Sequence, residues 1–140
     1  VGSGGIMLPH YSAYKVAENF RLIEALHPGR VDLGLGRAPG GMPLATRALQ
    51  QDKYVDVNQY PRQVMDIIGY FYNAMPEGHP FEHLLAVPDI PTAPEIWLLG
   101  SSGESARLAA QLGTAYVKRR CDIIWTILSL IRCCKSRRER

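Results

Sequence analysis

The stretch PEIWLLGSSGESARLAAQLG, residues 94–113, changes from strand to turn to helix within a few residues. Residues 96–99 form a short apolar run that Gly100 closes, and such a run predicts a strand buried on both faces of a sheet. Beyond the turn, apolar residues recur at helical spacing until Gly113, a residue type that commonly ends helices. A buried strand that leads through a Gly/Ser turn into a helix is typical of a parallel α/β sheet, which is the fold class we predict.

The turn at residues 100–105 has two interpretations. The hydroxyls of Ser102 and Ser105 and the free backbone N–H groups lie at the positive end of a helix, where a phosphate binds well. Alternatively, Ser101 or Ser102 only caps the helix and no ligand is involved. This stretch by itself favours the capping interpretation.

Residues 1–27 predict a strand and a helix. The segment VGSGGIMLP, residues 1–9, is broken by glycines, which inside a strand usually mark a bulge or a close approach of a ligand or another backbone. Ser12 then begins a helix with apolar residues along one face, and Pro28-Gly29 follows its end.

The segment RVDLGLGR, residues 30–37, predicts a strand with two different faces. Its branched side chains would pack on covering helices, whereas Gly34 and Gly36 leave space on the opposite face. That space could admit a flat ring, or the glycines only relieve crowding inside a barrel. Arg37 follows at the carboxyl end of the strand, where α/β folds keep their active sites.

The middle of the chain predicts one clear helix between two irregular segments. Residues 38–58 form a predicted loop with one helical turn at 44–51, and residues 60–75 have apolar residues at helical spacing. Five prolines make residues 76–94 an extended connector with at most a short strand at 81–87. The predicted strands thus lie near 1–8, 30–37 and 95–100, and the predicted helices near 12–27, 60–75 and 103–112.

Composition and cysteine use separate the two ends of the chain. The 140 residues, 46% hydrophobic and 21% charged, are ordinary for a soluble globular domain. Residues 1–117 carry 8 Lys/Arg against 11 Asp/Glu, whereas residues 118–140 carry 8 against 2. The three cysteines, an odd number, lie at position 121 or later, and without a secretory signal they predict a reducing cytoplasm.

The tail, residues 114–140, differs from the first 113 residues in its charge, its cysteine content and its helix pattern. Its apolar run at 121–134 is too short to span a bilayer and is followed by the basic residues 135–140. A palmitoylated anchor with a polybasic flank is one interpretation. We favour an extension translated out of frame, and therefore predict a divergent tail after a domain of residues 1–113.

No metal site is predicted. Pro80 breaks the helix that a metal-binding pair of His79 and His83 would require, so both histidines are expected to face solvent. His10 sits beside a proline at an element end, where turn geometry explains it. The sequence contains no P-loop, nucleophile elbow or CxxC motif, which leaves NTPase, hydrolase and redox-thiol functions without support.

Together, VGSGGIMLPHYSAYKVAENFRLIEALHPGRVDLGLGRAPGG (residues 1–41) and residues 94–113 resemble the bacterial-luciferase-like, flavin-dependent monooxygenases. The resemblance covers residues 1 to about 113 and implies part of a (β/α)₈ TIM barrel, about strands three to five with their helices. A complete barrel takes about 250 residues. The family binds reduced FMN, or in some branches F420, at the carboxyl mouth of the barrel and activates molecular oxygen.

The resemblance assigns cofactor-binding roles to seven residues and leaves the catalytic residues unknown. Gly4 and Gly5 match the place where the family has a non-prolyl cis peptide under the isoalloxazine ring. Gly36 matches a position at the reactive edge of the flavin, and Arg37 a residue that contacts the cofactor. The phosphate-binding turn is matched by Ser102, Gly103 and Ser105, which raises the phosphate interpretation above capping. Glu104 is unfavourable there unless its side chain points to solvent.

The function implied is a fragment of a monooxygenase that oxygenates a small organic substrate with O₂ and reduced FMN from a separate NAD(P)H-dependent flavin reductase. The resemblance also implies a cytoplasmic homo-oligomer with no nucleic-acid or membrane partner. A flavin- or phosphate-binding module without turnover and an F420-dependent oxidoreductase are alternatives. We expect that the chain has lost its beginning and half of the barrel. It is therefore expected to be inactive, with apolar side chains such as Leu33 and Trp97 beside open sheet edges.

Overall fold

The computed structural model describes residues 1–38, 42–50 and 56–118, and within them a parallel sheet packs against α-helices. The strand order is β1-β2-β3-β4, and each neighbouring pair is parallel. The elements in chain order are β1 (Ile6–Met7), α1 (Ala13–Leu26), β2 (Asp32–Gly36), α2 (Pro43–Gln50), α3 (Tyr60–Tyr72), β3 (Glu95–Gly100), α4 (Gly103–Leu112) and β4 (Ala115–Lys118). The predicted α/β class, and the three strands and three helices on which it rests, are confirmed.

The core lies between the sheet and the helices α1 and α3. Leu33 pairs with Ile96 and Leu35 with Leu98, so these four side chains share one face of the sheet, and each is buried. They pack in one cluster with α1 and α3 side chains that recur at helical spacing, among them Val16, Phe20, Val64, Ile67 and Phe71. The leucines of β2 therefore face the helices, as predicted.

The first strand contains a bulge. Gly2 bridges to Asp32 and Ile6 pairs with Leu35, so four steps along the first segment oppose three along β2. One extra residue on one strand is a β-bulge. Gly5 lies within it at φ +139°, a conformation that favours glycine. The bulge predicted from the glycines is confirmed.

Two elements differ from prediction. The single turn expected at 44–51 is an eight-residue helix, α2, which starts with a proline at its first position. Residues 81–87 have no strand, which agrees with the expectation of at most a short one. No strand was expected after Gly113, yet β4 pairs in parallel with β3. Four residues at a sheet edge give too short a pattern for recognition from sequence.

The C-terminal residues 119–140 lie outside the described part of the chain. The divergent tail over 114–140, including its cysteines, stays a prediction. In the described residues, β4 places 115–118 in the sheet. None of the helices in the described ranges has the length and apolar character needed to cross a membrane.

Candidate functional site at the carboxyl edge of the sheet

The parallel order brings the segments that follow β2 and β3 to one edge of the sheet. Gly36 pairs with Leu99, so Arg37 follows β2 at the level where β3 reaches its end. The contact between the two segments is direct: Arg37 Nη1 lies 2.6 Å from Glu104 Oε2 in the first turn of α4. Arg37 and the turn at 100–105, which lie 63 or more residues apart in sequence, therefore form one basic and polar cluster.

The Arg37–Glu104 ion pair is open to solvent. The Arg37 side chain is 41% exposed and that of Glu104 is 70% exposed. Exposed ion pairs contribute at most about 1 kcal/mol, so another anion could replace the Glu104 carboxylate at Arg37 at small cost. The high exposure of Glu104 also meets the condition under which a carboxylate is tolerable beside a phosphate.

The N-terminus of α4 has no side-chain cap. Ser102 is the N-cap residue, with extended backbone (φ −99°, ψ 155°), but its side chain makes no capping hydrogen bond. The capping interpretation of Ser102 is therefore not observed. A Cβ built on Gly103 would meet nothing within 4 Å, which leaves the first-turn backbone accessible. Uncapped N–H groups at a helix start attract anions.

Contacts with Ser105 and Tyr116 fix the shape of this turn. Ser105 is buried, and its Cβ and Oγ lie 2.5 Å from the Cβ that any residue larger than glycine would place at position 100. The single hydroxyl hydrogen of Tyr116 in β4 is shared between the carbonyl oxygen of Gly100 (2.9 Å) and that of Ser102 (3.3 Å). Tyr116 was missed by sequence reasoning because the strand that carries it was not predicted.

The glycines on the sheet face opposite the helices differ in the space they leave. A Cβ on Gly34 would lie 2.5 Å from the Ser3 carbonyl oxygen, and the Ser3 hydroxyl both accepts from Gly34 N (2.9 Å) and donates to Gly34 O (3.1 Å). A Cβ on Gly36 would meet only the Ile6 carbonyl, at 3.7 Å. Gly36 thus borders open space, whereas at Gly34 the expectation of open space was wrong because the bulge fills it.

Gly5, in the bulge that precedes β1, approaches the side chain of Leu99 in β3. A Cβ on Gly5 would come 2.8 Å from Leu99 Cδ1, and one on Gly4 would meet nothing within 4 Å. The cis peptide expected at Gly4–Gly5 is absent: among the described residues the cis bond is Val87–Pro88. A positive φ at Gly5 accommodates the extra residue with trans geometry.

Two further side chains at this edge were not predicted as functional. His10 ends a 3₁₀-helix that directly follows β1, and it is only 7% exposed. Its Nδ1 lies 3.0 Å from Gln50 Nε2 of α2. Tyr60 donates to the Leu35 carbonyl at 3.1 Å, and burial raises the pKa of Tyr60 to about 12 although Arg37 opposes the shift. The position of His10 after a predicted strand was the available signal.

No group of three or more His, Cys, Asp or Glu side chains that could hold a metal ion lies within residues 1–38, 42–50 and 56–118. His83 is exposed, as expected. For His79 the expectation of a solvent-facing ring was wrong, because its Nε2 lies 3.5 Å from Asp66 Oδ1 and the ring stacks at a tilt against Phe81.

The chain is similar to a known protein family and to several individual proteins. The model of the family described as luciferase-like monooxygenase matches residues 1–118. YwcH of Bacillus subtilis strain 168 is 59% identical over 84% of this chain and 35% of that protein. The N-acetyl-S-alkylcysteine monooxygenase of the same organism is 45% identical over the same shares of the two chains.

A solved structure, the crystal structure of apo-MsnO8, superposes with a TM-score of 0.68 at 42% identity, over 83% of this chain and 33% of that one. The chain therefore spans about a third of the length of the relatives it matches.

Proposed function

Because this chain belongs to the luciferase-like monooxygenase family, we propose that its carboxyl edge binds reduced FMN and forms part of a site that oxygenates a small organic substrate with O₂. The observation that carries the proposal is the meeting of Arg37 with the uncapped N-terminus of α4. A guanidinium and free backbone N–H groups are the donors that a phosphate monoester prefers.

The residues present fit the shape of FMN as well as its charge. Ser102, Gly103 and Ser105 would hold the phosphate at the end of β3, with Arg37 beside it at the end of β2. The open space at Gly36 would receive the flat ring, with the bulge at Gly4 and Gly5 next to it. Bound reduced flavin supplies the electrons that activate oxygen. This chain's residues bind and orient the flavin, and Tyr60, kept protonated by burial, holds the end of β2.

The cofactor and its supply follow the same proposal. A separate NAD(P)H-dependent flavin reductase would supply the reduced FMN. The protein itself would be a cytoplasmic homo-oligomer. F420 also carries phosphate, so F420 dependence is the alternative that a titration with both cofactors would test. A flavin-binding module without turnover is the second candidate, because the chain spans about a third of its relatives' length. Flavin binding without flavin-dependent oxygenation would favour that module.

The phosphate end of the site gives the first prediction. Ser102→Ala and Arg37→Ala are each expected to weaken FMN binding by about 1–3 kcal/mol, the usual contribution of a hydrogen bond to a charged group. Riboflavin has no phosphate, so its affinity should change much less. Fluorescence titration of each variant with both flavins makes the comparison. Ser101→Ala, in the same turn, is the matched control and should bind both flavins like the unmodified chain.

Equal losses of affinity for FMN and riboflavin in the Arg37 and Ser102 variants would mean that this turn does not bind the phosphate of the flavin. An unmodified chain that binds neither flavin would refute the proposed function as a whole.

The two glycines of β2 give a second prediction, since one faces a filled space and the other an open one. Gly36→Ala should change the free energy of unfolding by less than about 1 kcal/mol, because the added Cβ makes only an ordinary contact. The same methyl group would occupy the space of the flavin ring, so it should weaken the binding of FMN and of riboflavin by about 1–3 kcal/mol. Gly34→Ala should destabilise the fold by about 1–3 kcal/mol by displacing Ser3. Urea denaturation and flavin titration of both variants separate the two effects. Unchanged flavin affinity in the Gly36 variant would mean that the flavin ring does not bind beside Gly36.

A further inference from the structure

His10 has an unusual combination of burial and an unused polar atom. The residue is 93% buried, and its Nε2 has no hydrogen-bond partner in the part of the chain that the structure describes. The atom has almost no contact with solvent, so water does not satisfy it there. A buried polar group without a partner is costly, so it calls for a physical explanation, and a ligand that supplies the partner is one such explanation.

The other ring nitrogen determines what Nε2 can do. Gln50 Nε2 is an amide nitrogen, which only donates hydrogen bonds, so His10 Nδ1, 3.0 Å away, must accept. In the neutral imidazole the proton then resides on Nε2. Gln50 thus fixes the tautomer in which the unpartnered atom is a donor, and the missing partner is an acceptor.

The position of His10 relates it to one end of the proposed flavin. Along the edge of the sheet, His10 follows β1, Arg37 follows β2 and the phosphate turn follows β3. Neighbouring strands lie about 4.8 Å apart, so the β1 end is roughly 10 Å from the phosphate turn. Met7, three residues before His10, pairs with Gly36, which borders the open space assigned to the ring. His10 therefore stands at the ring end and not at the phosphate end.

We propose that His10 is a flavin-binding residue whose Nε2–H donates a hydrogen bond to an acceptor atom of the isoalloxazine ring, with Gln50 as the positioning residue that fixes the donor tautomer. This inference rests on the proposed function. The carbonyl oxygens and unprotonated ring nitrogens of a flavin are the class of acceptor required.

Two substitutions separate the donor from the rest of the side chain. His10→Asn retains a polar group near Nδ1, and with it a partner for Gln50, but removes the donor at Nε2. His10→Gln does the reverse, because its amide nitrogen reaches the position of Nε2. We expect His10→Asn to weaken FMN and riboflavin equally, by about tenfold, and to shift the visible absorption of the bound flavin. His10→Gln should retain affinity within about threefold.

The outcomes distinguish this inference from the function on which it rests. If the unmodified chain binds no flavin, both fail. If it binds flavin and His10→Asn matches it, or if His10→Gln loses as much as His10→Asn, the inference alone fails, because the contact with Gln50 and not the donor then matters. A loss confined to FMN would also overturn it, since that places His10 at the phosphate.

A measurement on the unmodified chain covers the case in which the Asn variant does not fold. Nitrogen NMR of ¹⁵N-histidine-labelled protein should contain one imidazole protonated at Nε2 and not at Nδ1, and riboflavin should change the Nε2–H resonance of that ring. A resonance of His10 that is indifferent to riboflavin would refute the proposal.

Discussion

Replacement of Arg21 by methionine is expected to lower the free energy of unfolding by about 3–5 kcal/mol, the largest stability effect of any single substitution considered for this chain. Arg21 is 1% exposed and donates through Nη2 to the carbonyls of Tyr70 and Phe71, both at 2.8 Å. These carbonyls belong to the last turn of α3, where helical partners are missing. Methionine keeps the apolar stem but leaves both carbonyls without this partner.

The same guanidinium also ties down the connector. Asn73 Oδ1 shares the two Nη2 hydrogens with those two carbonyls of α3, and Nη1 donates to the Pro88 carbonyl and to Asp89 Oδ1. Hydrogen bonds from Asn73 first and Arg21 second hold the pKa of Asp89 below its ordinary value of 3.8. A depressed folded-state pKa contributes stability above the ordinary value and loses it as the pH falls through the folded value. The Arg21 variant should therefore lose less stability than the unmodified chain on acidification below pH 3.8.

Urea denaturation at neutral pH and one protein concentration measures the difference. Lys15→Met is the matched control: Lys15 lies on the same helix with a 66% exposed side chain, and its ion pair with Glu18 should contribute little. A loss of less than about 1 kcal/mol in Arg21→Met would mean that water or a relaxed backbone replaces the guanidinium.

The elements with local signals were the ones that sequence could predict. The apolar run of β3 and the helical spacing of α4 are complete within 20 residues, and the glycines of the first strand indicated its bulge correctly. Features built from distant partners were not predictable. Arg21 reads as a polar residue of an amphipathic helix, and nothing nearby indicates that it caps a helix some 50 residues later.

In the candidate site, too, the features with a local sequence pattern could be predicted and those that depend on distant residues could not. A Gly/Ser turn before a helix is a local pattern, and so is an arginine at a strand end. Their meeting through Glu104 depends on strand order, which only the fold reveals. Gly34 appeared equivalent to Gly36 because both alternate with leucines. The two positions differ in free space because Ser3, 31 residues earlier in the sequence, packs against Gly34. The contact of His10 Nδ1 with Gln50, 40 residues away, likewise depends on the fold.

As an isolated polypeptide of 140 residues, the chain is expected to associate and to have no flavin-dependent oxygenase activity, an all-or-none loss relative to a complete barrel. In the described residues, β1 and β4 each have a strand neighbour on one side only. A closed barrel removes such edges, whereas an open edge with unpaired N–H and C=O groups recruits further strands.

The reason for association differs in part from the one expected from sequence. Leu33, Leu35, Trp97 and Leu98 lie on β2 and β3, the inner strands of the described sheet, so the expectation that such side chains border an open edge was wrong. The backbone of β4 carries the argument instead, because its four residues are at most partly buried and its outer side has no strand partner within residues 1–38, 42–50 and 56–118.

Loss of turnover follows from the mouth of the barrel and not from association. The four strands in the described part of the chain supply at most half of the eight loops that surround a barrel site, and a reactive flavin needs a site that excludes water. With chemically reduced FMN, oxygen uptake should therefore be no faster than with free FMN, and size-exclusion chromatography should give species larger than a monomer. A variant with Val117→Lys, which places a charge in the edge strand β4, should reduce association without restoring activity. A monodisperse monomer of the unmodified chain that oxygenates an added small organic substrate would refute the prediction, because a partial barrel would then suffice to protect the reaction from water.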